Sequence, residues 1–238
     1  MKSNKTLSLK NIFIYILMGI TATLIIVTAV LNEKQETPDW QEILQIMPLF
    51  VSIIIGMLQS RVSRFASLLG SVNSIFYAVV YFIFNIYGSA FSALLFSCPI
   101  QILTFIRWNK HKSGGSTELH KMTAKQRILL SGGFLVALAG MWFVLPLLGS
   151  EYVFLDSVST LLGIVIYFMT MFAYVEYTFL MLINGAIGIA LYIQMLGGTP
   201  GIETHLIFSV YSLICIIFAF FEARKLYKKQ QAEKEISK

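Results

Sequence analysis

Six side chains set the chemistry open to this sequence. Asn73, Tyr77 and Tyr81 recur every four residues, the spacing that keeps side chains on one face of a helix. Asn184 and Tyr192 repeat the eight-residue interval from Asn73 to Tyr81. Gln101 follows Pro99, whose missing N–H loosens the helix around it. All six lie in apolar surroundings. An amide side chain donates and accepts in one plane, so it matches a carboxamide, a ribose hydroxyl or the edge of a heterocycle. An aromatic ring stacks on a flat ring or holds a cation over its face. Asp156, Glu176, His205 and Glu222 fall only near the ends of apolar stretches. Ion-driven pumps use ionisable groups at depth, so the pattern favours uncoupled passage of a neutral or weakly charged solute. There is no deep carboxylate pair, His–acid motif or metal-ligand cluster of the kind catalysis uses, so neither an enzyme nor a bound cofactor or metal is expected.

The same residues have a plainer reading. An intramembrane Asn often bonds only a neighbouring helix, a contact worth ~0.6–2 kcal/mol. Recurrence of the Asn in two places favours a lining role for Asn73 and Asn184. Ser52, Ser159, Gly56 and Gly163 suit helix packing better, and Tyr77, Tyr81 and Tyr192 fit either role. Trp40 and Tyr152 suit interfacial anchors.

The elements that must hold these residues are membrane helices. The chain has 238 residues, 57% hydrophobic and 13% charged, with a mean hydropathy of +0.75. The apolar residues form blocks of about 17 to 21, the length that crosses ~30 Å of hydrocarbon at ~1.5 Å per residue. They lack the alternation of barrel strands. The expected spans are Ile12–Leu31, Leu44–Ser60, Phe65–Phe84, Ala90–Trp108, Ile128–Leu148, Ser157–Phe172, Thr178–Met195 and His205–Ala223. The first is too long for a signal peptide, and no small-residue cleavage site follows it. The fold class is therefore an all-α integral membrane protein with about eight transmembrane helices. Cys98 and Cys215 both fall inside spans and read as packing residues.

Charge fixes the orientation. If the N-terminus is cytoplasmic, every lysine and arginine lies on the cytoplasmic side except Lys34, which sits among Glu33, Glu36, Asp39 and Glu42. The positive-inside rule predicts this sorting and nucleic-acid binding does not, so the net charge of +6 reflects topology. Five segments follow: residues 1–43, an N-terminal helix and outer loop; 44–108, a first three-helix unit; 109–148, a basic loop and linker helix; 149–223, a second three-helix unit; and 224–238, a basic tail expected to be a solvated helix end. Within the loop, Ser113-Gly114-Gly115-Ser116 reads as a flexible connector.

The two units resemble one another. Val51–Gly56 aligns with Val158–Gly163, Asn73 with Asn184, and Arg107 with Arg224, at offsets of 107, 111 and 117. One helix between the units restores their orientation, so the repeats run parallel. Parallel repeats suit a transporter whose site lies between the halves.

The chain resembles the PnuC family of nicotinamide riboside and related vitamin transporters over most of residues 44–229. The matching stretches are Pro99-Ile100-Gln101 running to Trp108, Leu155-Asp156, and Glu176-Tyr177 through Asn184 to Leu191-Tyr192. The resemblance implies a SWEET-like core of three, one and three helices preceded by one extra helix. It implies facilitated diffusion of an unphosphorylated vitamin across a bacterial cytoplasmic membrane, trapping by a cytoplasmic kinase, and a homo-oligomer, a trimer. With the polar residues already named, the candidate substrate-binding set is Asn73, Tyr77, Gln101, Tyr177, Leu180, Asn184 and Tyr192. Where the family pattern has two Trp three residues apart and an Asn four further on, this chain has Tyr177, Leu180 and Asn184; Tyr167 stands where a Gln is expected in the sixth helix. These departures leave thiamine, riboflavin or a deoxynucleoside open as cargo. A non-transporting scaffold or receptor is the alternative outside transport.

Overall fold

The computed structural model describes residues 9–32, 39–110, 112–113 and 116–236. Eight long helices stand among them: α1 (Leu9–Asn32), α2 (Asp39–Gln59), α3 (Phe65–Ile83), α4 (Tyr87–Lys110), α5 (Ala124–Leu147), α6 (Val153–Met171), α7 (Tyr177–Met195) and α8 (Ile202–Ile236). Seven are long and apolar enough to cross a membrane, and α2 carries a shorter apolar stretch, Ile43–Gln59. Large apolar side chains face outward, such as Val136 at 76% and Phe143 at 74% exposure on α5. Lipid is the solvent that accepts such a surface.

Each expected span falls on one of these helices, but the ends differ for local reasons. The linker helix α5 starts four residues early because Thr123 and Gln126 form a reciprocal capping box. In α4 the backbone widens into a π-turn at Ala93–Ser97, with the Cys98 N–H reaching back to the Ala93 carbonyl. Pro99 explains the widening: it has no N–H to continue the ladder, and the wider turn absorbs the mismatch.

Six helices close a ring in chain order. α2 packs on α3, α3 on α4, α4 on α6, α6 on α7, α7 on α8, and α8 returns to α2. α1 lies outside against α8 and α2, and α5 lies outside against α6. The third helix of each unit thus meets the first helix of the other.

The turns give the register between the units. After α2, Val62 takes a left-handed backbone at φ 53°, and the Ser63 N–H reaches the Leu58 carbonyl at 3.0 Å. After α6, Ala173 does so at φ 56°, and Tyr174 reaches Met169 at 2.9 Å. This is the Schellman ending of a helix, repeated at an offset of 111. The sequence alignment of Val51–Gly56 used 107, one helical turn away. A four-residue slip keeps the same face, so Ser52 and Ser159 still face alike.

The same offset relates two braces. Asp156, fully buried at the start of α6, accepts from the Gly88 and Ser89 N–H groups at 3.0 Å each and from Ser89 Oγ at 2.6 Å. It therefore caps the start of α4 from the other unit, where a carboxylate meets the positive end of the helix. A Cβ on Gly88 would come within 2.9 Å of its Oδ2. Gln45, 111 residues earlier in α2, presses on Gly201 just before α8, where a Cβ would overlap its carboxamide.

The described residues of the basic loop are tied to the helices around them. Lys112–Ser113 pairs with Ser116–Thr117 as a two-residue antiparallel hairpin; Gly114 and Gly115 lie outside the described residues. His120 exchanges backbone bonds with Ala173 and Val175 in the α6–α7 turn. Gln230 on α8 bonds the Leu119 N–H and the Thr117 carbonyl at 2.9 and 2.8 Å. The tail expected to be solvated is the continuation of α8, and the loop is strapped to it.

Candidate functional site

Inside the ring, two cavities of about 260 and 300 Å³ adjoin. They share Gln59, Gln101, Tyr167, Asn184, Gly185 and Ser212 as walls. One reaches Val62 and Ser63 in the α2–α3 turn, at the end of the molecule rich in basic residues. The other reaches Tyr77, Tyr81 and Tyr192. Beyond the tyrosines the far end is sealed by Val80, Phe84 and Ile86 from one side and Leu191, Met195 and Ile202 from the other, all buried.

The two units line this space with equivalent positions. Asn73, Ser74, Tyr77 and Tyr81 on α3 face it, as do Asn184, Gly185, Gly188 and Tyr192 on α7, each 111 residues later. The eight-residue interval visible in the sequence is one strand of this correspondence.

Asn73 donates from Nδ2 to Ser52 Oγ at 2.7 Å and to the Pro48 carbonyl at 3.2 Å. A carbonyl only accepts, so these bonds fix which way the amide points. They leave Oδ1 buried with no partner within the protein. Asn184 Oδ1 is buried and unpaired as well. The two acceptors stand at equivalent places, on residues that line the chamber.

Gln101 sits one turn past the π-turn. Its Nε2 donates to Ser97 Oγ at 2.6 Å and Ser74 Oγ at 3.0 Å. Its carboxamide occupies the space beside Gly70, where any Cβ would overlap it. Tyr77 stacks on Tyr81 with ring centres 5.4 Å apart, and its hydroxyl accepts from Ser52 at 3.1 Å. Tyr81 on α3 and Tyr192 on α7 line the same space from equivalent positions. His205, expected near a span end, is fully buried beside Tyr77, Phe84 and Tyr192, with ring centres at 6.2, 5.0 and 5.9 Å.

Tyr177 is buried and walls the cavity nearer the basic end. Leu180 is absent from the walls of both cavities and packs against the cluster around Trp108 and Tyr177. Helical geometry explains this. Tyr177, Met181, Asn184, Gly185, Gly188 and Tyr192 form one stripe, and at ~100° per residue Leu180 points about 90° from its centre. Met181 is the α7 side chain one turn past Tyr177 that faces the cavity. Sequence reasoning also passed over Ser74, Ser97 and Ser212. Serines in apolar helices are too common to stand out, although Ser74 follows Asn73 directly. Ser52, Gly56, Ser159 and Gly163, read as packing residues, all line the cavities. Gly56 does both, since a Cβ there would meet Tyr211 Cε1 at 2.9 Å.

None of the residues lining either cavity is Lys, Arg, His, Asp or Glu. Long apolar helices thus surround a polar chamber with no charged side chain in its lining.

The family model described as nicotinamide mononucleotide transporter matches residues 40–225, well over half of the chain, and the chain belongs to that family. A solved structure described as the crystal structure of the vitamin B3 transporter PnuC shares the fold. It superposes with a TM-score of 0.74 at 22% identity, covering 91% of this chain and 92% of that one. No curated protein gives a match.

Proposed function

We propose that this protein carries nicotinamide riboside across the membrane by facilitated diffusion, binding it in the joined cavities between the two three-helix units, 44–108 and 149–223. The observation that carries this reading is the composition of the walls. They offer amides, hydroxyls and aromatic rings and no cation. A phosphate placed there would be a desolvated dianion without a counter-charge, at a cost of several kcal/mol. The dephosphorylated riboside avoids this penalty. The unpaired Oδ1 atoms of Asn73 and Asn184 accept from its carboxamide N–H or ribose hydroxyls. The Tyr77–Tyr81 stack offers a ring face to its flat, positively charged heterocycle.

The uncharged walls also support movement without ion coupling. Net uptake then requires a cytoplasmic kinase that converts the riboside into a phosphate unable to return. The basic end is cytoplasmic in this reading, with both termini inside and the chain in the bacterial cytoplasmic membrane. The assembly is a homotrimer.

Uptake into liposomes without an ion gradient tests the proposal. Riboside should equilibrate, and should accumulate only when kinase and ATP are enclosed. Uptake that requires a proton gradient, or no uptake at all, contradicts it. Tyr177 in place of the family's Trp favours a second reading, with thiamine, riboflavin or a deoxynucleoside as cargo. Competition against riboside uptake separates the two.

A further inference from the structure

A second cavity type lies on the outside of the molecule, where α7 begins, α8 leaves the membrane and the loop after α4 turns back. It is a groove of about 940 Å³. Its floor is aromatic: Phe179 is 50% exposed and Phe221 64%. Its rim is cationic, formed by Lys121, Arg127, Arg224, Lys225 and Lys228.

The depth of these groups follows from helix geometry. α8 has 35 residues, ~52 Å at ~1.5 Å per residue, against ~30 Å of hydrocarbon. About 20 residues from Ile202 bring the chain to Phe221, where acyl chains end. Arg224, Lys225 and Lys228 occupy the next turns, at the level of the headgroups. The groove is therefore apolar and aromatic on its membrane side and cationic on its aqueous side. Only one carboxylate lines it, Glu176, and Arg127 engages that at 2.8 Å. Arg224 lies 4.0 Å over the Phe220 ring and Lys121 5.6 Å from the Tyr227 ring. Among the described residues no ion pair holds Lys121, Arg224, Lys225 or Lys228.

We propose that this groove is a binding site for an anionic phospholipid, with its phosphate among Arg224, Lys225 and Lys228 and an acyl chain along Phe179 and Phe221. The positive-inside rule accounts for cations at this end. It does not account for a groove that joins them to exposed rings, and basic pockets at this depth fit anionic headgroups. The site is separate from the transport cavity and independent of the cargo. Because Gln230 straps the loop to α8 just beyond the groove, lipid bound there braces the same contact.

The test uses the full chain, delipidated in detergent, with thermal unfolding followed against added lipid. Phosphatidylglycerol should raise the midpoint, whereas phosphatidylcholine and inorganic phosphate should not. The variant R224Q/K225Q/K228Q should need roughly tenfold or more phosphatidylglycerol for the same shift. R224K/K225R/K228R should respond like the parent, which guards against a general loss of folding. K229Q should also respond normally, since Lys229 lies 3.7 Å from Glu233 and outside the groove. Equal response to phosphatidylcholine, an equal shift from phosphate alone, or an undiminished response in the glutamine variant overturns the proposal. So does a glutamine variant whose lipid response is unchanged but whose assembly mass falls, because the groove would then be a contact between copies.

Discussion

Replacing Asn184 by leucine separates a ligand-binding residue from a helix-packing one, because the two roles predict opposite changes. Leucine has the same number of heavy atoms and the same branching as asparagine, and the adjoining cavities of about 260 and 300 Å³ leave it room. In the ligand-free protein Asn184 Oδ1 has no partner within the chain. Replacing an acceptor that bonds nothing within the protein breaks no internal bond at that atom. The thermal midpoint should therefore rise or stay level. Binding should move the other way. The riboside donor that Oδ1 accepts would be left buried and unpaired, costing ~1–3 kcal/mol, a loss of roughly 5- to 150-fold in Kd. Both are read on detergent-purified protein, by thermal unfolding and by calorimetry. A midpoint several degrees lower with unchanged riboside affinity would refute the reasoning and make Asn184 a packing residue.

Further outcomes follow from the same geometry. Asp156→Ala leaves the Gly88 and Ser89 N–H groups without their acceptor and should cost ~1.5–3 kcal/mol of stability, the range for hydrogen bonds to a charged group. Gly88→Ala, which drives a methyl into the same carboxylate, should also destabilise. Thermal unfolding of both and of the double variant should show a combined loss smaller than the sum, since they break one contact. Gly70→Ala pushes a methyl into the Gln101 carboxamide and should weaken riboside binding roughly tenfold, or ~1.4 kcal/mol, as measured by calorimetry.

The membrane fold was legible because a bilayer demands long apolar helices, and nearly every one announces itself by length. Asn73 and Asn184 stand out against apolar neighbours, and their offset of 111 equals that between the Val62 and Ala173 turns. In α2 and α6 the stretches Val51–Gly56 and Val158–Gly163 resemble one another one turn away from the register set by the Val62 and Ala173 turns. No periodicity argument detects a slip of a whole turn. Leu180 was carried onto the site by likeness to a motif, and the stripe from Tyr177 to Tyr192 leaves it outside. Asp156 was placed near a span end with no role given, because nothing local marks it as the cap of a helix 68 residues earlier. Such braces are properties of the closed ring. The π-turn, by contrast, was half visible: Pro99 gave its place, and only packing around Gln101 gave its form.

No cation lines the chamber, so the most direct test compares ligands that differ by one phosphate. Equilibrium binding of nicotinamide riboside and nicotinamide mononucleotide to the purified chain should favour the riboside by about 100-fold or more, as a desolvated and unpaired phosphate requires. Equal or tighter binding of the mononucleotide would contradict the account, because the walls that surround the ligand could not then be those of this chamber.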